Sequence, residues 1–163
     1  IFLISVVHKL MISYLTRNIP KIMSPNNPEI IIKKLKIIKL NEGNVFHALK
    51  DNESEFCGFK EAYFSSIKQN KIKAWKRHLK MTMNLVVPVG EVQFIFYDLE
   101  NKLLDNLVIG ENNYCRITVP PNVWCGFKGL SSKISYILNI SDTSHDPLEV
   151  ERKPLSFLNF LSK

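Results

Sequence analysis

The residues best equipped for chemistry crowd between positions 68 and 80. Lys68, Lys71, Lys73, Lys76, Arg77, His78 and Lys80 fall in one short run with Trp75 among them. Such a run can hold phosphate groups while an aromatic ring stacks on a base or a sugar. It can equally form a solvated strand face. His78 is one of four histidines, with His8, His47 and His145. Its cationic neighbours disfavour another positive charge, so a neutral imidazole is expected near neutral pH, the form that a general base requires. No second histidine or acid stands at ligand spacing, so no metal is expected. Cys57, Cys115 and Cys125 are odd in number and widely spaced. That is neither a disulfide framework nor a C-x-x-C site, and reduced thiols are expected. Cys125 lies in Trp124-Cys125-Gly126-Phe127, just after Pro120-Pro121-Asn122. The segment reads as a tight strand entry with a packed ring, and no cation adjacent in sequence suggests an activated Cys125 thiolate, although Lys128 is close by.

Short strands would have to position these groups. Glu61–Ile67 reads as a strand, and Lys71–His78 alternates, with Ile72, Ala74, Lys76 and His78 on one face and Lys71, Lys73, Trp75 and Arg77 on the other. Asn84–Val89 and Glu91–Asp98 are β-rich runs joined at Pro88-Val89-Gly90, where glycine permits a turn with positive φ. Tyr114–Val119 and Ile134–Ile140 are two more. The Pro-Pro pair between those two suits neither helix nor ladder. No long segment beyond residue 29 has helical periodicity, so an all-β sandwich or barrel such as a jelly roll is expected.

The chain has 163 residues, 45% hydrophobic and 23% charged, which suits one globular domain and excludes a disordered or collagen-like chain. Its 22 lysines and arginines outnumber 15 acids, a net charge of +7. That surplus calls for an anionic partner: nucleic acid, a phosphate ligand or a membrane surface. No helix-turn-helix, zinc finger, RNP or P-loop pattern is present, so nucleic acid rests on charge alone. Residues 1–15 are apolar but broken by Ser5, His8, Lys9 and Ser13, which is too short and interrupted for a bilayer span. Their spacing permits an amphipathic helix. Met23-Ser-Pro-Asn-Asn-Pro then reads as a linker. Residues 1–28 are expected to be an appendage to a domain over 29–163.

Several segments, in order, resemble one family. Glu61-Ala62-Tyr63-Phe64-Ser65, Lys73-Ala74-Trp75-Lys76-Arg77-His78 and Asn84-Leu85-Val86-Val87-Pro88-Val89-Gly90 are similar to the dTDP-4-dehydrorhamnose 3,5-epimerase (RmlC-like) family. So are Tyr97-Asp98, Val119-Pro120-Pro121-Asn122-Val123-Trp124 with Gly126-Phe127, and Leu138-Asn139 with Asp146-Pro147 and Glu149. The likeness is nearest to the branch found among surface-polysaccharide genes.

The resemblance implies a cupin-type jelly roll (a double-stranded β-helix), a homodimer, a cytoplasmic location and no cofactor. It implies a nucleotide-diphosphate sugar as ligand, with neither nucleic acid nor membrane as partner. The implied reaction is proton abstraction beside the C4 ketone of a 4-keto-6-deoxy sugar, then reprotonation on the other face, inverting C3, C5 or both. His78 matches the family's base. Asn84 stands where the family has its enolate-stabilising lysine. Leu138 stands where it has a catalytic tyrosine, so Tyr136, two residues earlier on the same face, is the expected replacement, with Tyr114 as a second candidate. Substrate contacts are expected from Trp75, Lys76, Arg77, Lys80, Tyr114, Trp124, Cys125 and Phe127. The family's base-orienting aspartate comes from the C-terminal tail; Ser156–Lys163 has no acid, which leaves Asp142 or Asp146. These departures also fit a catalytically reduced cupin that binds a nucleotide sugar or another anionic carbohydrate.

Overall fold

The structure, a computed structural model, describes residues 28–160. The expected appendage, apart from Pro28, and its amphipathic helix lie outside the described residues. Two antiparallel five-stranded sheets make up the domain, and no α-helix occurs among the described residues. The first sheet runs β1 (Ile31–Lys34), β9 (Cys115–Val119), β6 (Met83–Val89), β11 (Ser135–Ser141), β4 (Glu61–Ile67). The second runs β12 (Val150–Arg152), β5 (Ile72–His78), β10 (Trp124–Gly129), β7 (Glu91–Tyr97), β8 (Leu103–Gly110). A small ribbon pairs β2 (Ile37–Ile38) with β3 (Val45–Phe46), and two 3-10 turns cover Pro147–Glu149 and Leu155–Phe157. This is the all-β jelly roll expected from the short, turn-separated runs. Gly90 turns the β6–β7 hairpin at φ +81, a conformation that costs glycine nothing.

The sheets face each other across an apolar core. Met83, Leu85, Val87, Ile117 and Ile137 from the first meet Val92, Phe94, Phe96, Ile109 and Cys125 from the second. Full burial of a side chain the size of Phe94 or Ile117 stabilises by roughly 1.5–3 kcal/mol. The outer face of each sheet is also covered in part. Residues 47–59 lie over the first, held by Arg116, which is wholly buried. Its guanidinium donates to Ala48 O at 2.9 Å, to Glu53 at 2.5 Å and to Glu55 at 3.3 Å. The tail 155–160 packs on the outer face of the second, over Trp75, Ile95 and Trp124.

Two alternations differ from the sequence reading. In β11 the smaller and more polar side chains Ser135, Ile137, Asn139 and Ser141 are buried, while Tyr136 is 43% exposed. Leu138 and Ile140 line a groove beneath the 47–59 segment instead. In β5 the register breaks: Cys125 pairs with Lys76 but Phe127 with Lys73, so three steps on β5 oppose two on β10. The bulge reverses the faces in the first half of the strand. Lys73 therefore joins Lys76 and His78 on the inner side, and Ile72 lies against the tail.

Candidate active site

A cavity of about 490 Å³ opens between the two sheets. Its first wall carries Tyr63 and Ser65 of β4, Met83 and Leu85 of β6, and Ile137 and Asn139 of β11. The opposing wall carries Lys73, Lys76 and His78 of β5 with Phe94, Cys125 and Phe127. Arg152 and Lys153 border it at the end of β12. Lys73, Arg152 and Lys153 are exposed and Lys76 half-buried, so a cationic mouth leads to a deeper, mostly apolar chamber.

His78 is 2% exposed. Its Nδ1–H donates to Glu149 Oε1 in a short hydrogen bond. Its Nε2 has no partner among the described residues. The strand pairing Val150↔His78 brings Glu149 alongside, and Glu149 Oε2 accepts from the Lys80 and Met81 backbone N–H groups at 3.3 and 3.4 Å. The His78 carbonyl accepts from Asn122 N–H at 2.7 Å. Asn122 ends the Pro-Pro turn at φ 64, a conformation asparagine tolerates. The ring is thus held at Nδ1 by Glu149, and the backbone that carries it by Asn122.

Burial pushes the His78 pKa below its ordinary 6.5, and Lys76 adds to this against the opposing pull of Glu149. Burial works against the Glu149 charge too, but the hydrogen bonds from His78, Lys80 and Met81 outweigh it and hold the carboxyl below its usual range. The pair is therefore a neutral imidazole on a carboxylate, its free Nε2 carrying the lone pair. Burial and Arg152 lower the Lys76 pKa. Burial raises that of Tyr63, keeping the phenol protonated. Asn139 Nδ2 donates to the Tyr63 oxygen at 3.1 Å, and the buried Asn139 Oδ1 atom has no partner among the described residues. Burial drives the Cys125 thiol up to about 12, so it lines the cavity as an inert, apolar group. Among the described residues no three histidine, cysteine or acidic side chains could hold a metal ion.

The cavity gathers five of the expected site residues: His78, Lys76, Cys125, Phe127 and, at its border, Trp75. Trp75 directs its ring away, against Ile95 and Trp124 on the outer face, so it does not stack on a ligand in the chamber. Trp124 belongs to that same outer cluster, and Arg77 is paired with Glu151 at 2.6 Å over the Trp124 ring. The side chain of Lys80 is exposed outside the cavity lining. Tyr114 donates to His47 O at 3.0 Å, away from the chamber. Asn84 alternates with the cavity residues Met83 and Leu85 and so faces the other way, accepting from Thr118 Oγ1 at 2.8 Å. Tyr136 is excluded from the cavity by the β11 alternation, because an inward Ile137 forces its neighbours outward. Asp142 accepts from Thr82 N–H, and Asp146 caps the turn at Leu148. Neither reaches His78.

Sequence reasoning missed Glu149 as the partner of His78 and Tyr63, Asn139, Arg152 and Lys153 as cavity groups, and it put Lys73, named in the basic run, on the face opposite His78. Tyr63, Asn139 and Glu149 all lay within the matching segments, but nothing in their spacing set their direction.

A jelly roll enclosing a buried histidine–carboxylate pair behind a cationic mouth has the layout of a cupin with a site suited to an anionic ligand. The comparisons with known proteins make that class specific. No family model matches the chain. A dTDP sugar isomerase of Desulfovibrio desulfuricans is 33% identical in sequence, with a TM-score of 0.73, over 77% of this chain and 83% of that one. A probable low-salt glycan biosynthesis epimerase of Haloferax volcanii is 26% identical over 129 residues, 75% of this chain and 83% of that protein. A dTDP-6-deoxy-D-glucose-3,5-epimerase of Legionella pneumophila, solved with dTDP-4-keto-L-rhamnose, shares the fold at a TM-score of 0.66 and 14% identity, over 77% of this chain and 76% of that one. The chain belongs to the RmlC-like family of dTDP-sugar epimerases and isomerases. Among the described residues no helix is long and apolar enough to cross a membrane.

Proposed function

We propose that this protein is a nucleotide-sugar epimerase acting on a dTDP-4-keto-6-deoxyhexose at the carbon beside the C4 ketone, C3, C5 or both, in surface polysaccharide synthesis. One observation carries the reading: a buried, neutral His78 whose Nδ1–H is committed to Glu149 and whose Nε2 is free at a cavity entered between cations. That is the arrangement of a general base oriented by a carboxylate. Nε2 takes the proton from carbon, and the C–H electron pair passes to the ketone oxygen as an enolate. Lys76, on the same face two residues before His78, supplies the nearby positive charge that Asn84 does not. Lys73, Arg152 and Lys153 suit a diphosphate at the mouth. Reprotonation must come from the opposite side. Tyr63, on the facing sheet, is the tyrosine for that role: its oxygen accepts from Asn139, leaving its own O–H free to donate. The step is redox-neutral, and solvent resets both groups.

The domain assigned this chemistry is 29–163, with residues 1–28 as an appendage. The outer face of the first sheet, with exposed Phe64 and Tyr136, is assigned to a second copy in a homodimer. Three free thiols suit a reducing, cytoplasmic setting.

The test is deuterium wash-in. With a dTDP-4-keto-6-deoxyhexose in D₂O, the wild type exchanges C3 or C5 hydrogen, and His78→Ala loses at least about 10²-fold. Tyr63→Phe retains exchange but loses inversion. Binding without exchange in the wild type overturns the enzyme reading in favour of a sugar-binding cupin, the alternative that the displaced Asn84 and Tyr136 favour.

A further inference from the structure

The acid that orients His78 reaches it on a thinly attached stretch of chain. Glu149 closes a three-residue 3-10 turn and leads into β12, a three-residue edge strand that pairs only with β5. An isolated strand so short holds little by itself. Its continuation is held more firmly. Lys153 and Trp75 exchange two backbone hydrogen bonds of 3.0 and 3.1 Å. Beyond Pro154 the chain turns onto the outer face of the sheet. There the indole N–H of Trp75, 1% exposed, donates to the carbonyls of Leu155 and Leu158, both at 3.2 Å. The Tyr97 hydroxyl donates to Asn159 O at 2.9 Å. Phe160 lies 5.7 Å from the Trp75 ring and Phe157 edge-on to Trp124 at 5.2 Å. Gly126 leaves room for this: a Cβ there would stand 2.8 Å from the Trp75 ring.

We infer that residues 155–160 form a clasp, anchored on Trp75, that seats β12 on β5 and so positions Glu149 against His78. Trp75 is a positioning residue: it acts on the base through the tail and the edge strand, from the face opposite the cavity. This deepens the reading of His78 as the base and rests on it. The indole N–H matters more than the ring alone, because it ties two carbonyls of one short turn to the strand that carries His78. The same clasp places Arg152 and Lys153 at the cavity mouth.

The experiment needs no substrate, so it is separable from the wash-in test of the reaction. In the full-length, ligand-free protein labelled with ¹⁵N-histidine, the His78 Nδ1–H held by Glu149 gives a slowly exchanging imidazole N–H signal, assigned by its loss in His78→Gln. Trp75→Phe keeps an aromatic ring and removes the donor; its Nδ1–H is expected to exchange with water roughly tenfold faster or more, as local opening of the edge strand becomes easier. Tyr97→Phe and Leu158→Ala loosen the tail without replacing any residue of β5 and should act in the same direction, more weakly. They decide the question alone if Trp75→Phe does not fold. Unchanged exchange in the folded variants overturns the clasp, as does the absence of a protected N–H in the wild type. A wild type that never exchanges sugar hydrogen, yet shows the expected N–H changes, refutes the epimerase and retains the clasp.

Discussion

At the scale of single residues, the proposed reaction turns on the protonation of one histidine. The His78 pKa is lowered by burial, so in acid the unfolded chain takes up this proton first, and the folded state loses stability as pH falls through 6.5 toward the folded value. Glu149 is also held below its ordinary 4.5, so its contribution is present above that value and lost as pH falls further. The two act in the same direction, and urea melts should show stability declining from about pH 6.5 downward. Catalysis behaves differently. The base stays free below its ordinary pKa, so the exchange rate should remain on its plateau below pH 6.5. Glu149→Gln removes the group that opposes the downward shift. Its acid limb should move to still lower pH while the plateau falls about 10²-fold, read from the pH profile of wash-in.

At the scale of elements, stability depends on how covering segments are held to the sheets. Arg116 of β9 is the anchor for 47–59, bound to Ala48 O, Glu53 and Glu55, with Lys33 of β1 beside both acids at 3.6 and 3.1 Å. Replacing it by methionine leaves two acids with Lys33 alone and a covering segment without its main tie. The expected cost is about 3 kcal/mol in chemical denaturation, the low end for breaking a buried ion pair because both acids keep some exposure. The bulge in β5 is the other decisive element. Without its extra residue, Lys73 would stand on the outer face and the cationic mouth would lose one of its members.

At the scale of the whole molecule, the outer face of the first sheet leaves Phe64 65% and Tyr136 43% exposed, with Val89 at 45% on the strand next to β11. Clustered apolar exposure of this kind marks an interaction surface. If the proposed homodimer uses this face, Phe64→Glu should yield a monomer by sedimentation, because a charge buried at a symmetric interface meets its own copy. The same variant should leave the His78 N–H signal unaltered, since Phe64 lies outside the cavity.

Much of this protein was determined by its sequence alone. The strands Glu61–Ile67 and Ile72–His78, the hairpin at Gly90 and the Pro-Pro turn are dictated by local chemistry: short runs with aromatic residues and no helical periodicity, a residue free to take positive φ, and residues without a backbone N–H. His78 was legible because it closes a basic strand. The family was legible because its segments recur in order. Only the tertiary structure decided direction. Asn84, Tyr136 and Trp75 were expected at the site and lie outside the chamber or turn their rings from it, whereas Tyr63, Asn139 and Glu149 enter it. A strand offers two faces one residue apart, and a single bulge, or an inward Ile137, exchanges them. The pairing of His78 with Glu149 spans 71 positions. No spacing rule reaches that far, because it arises only when the edge strand closes on β5 and the tail folds over Trp75.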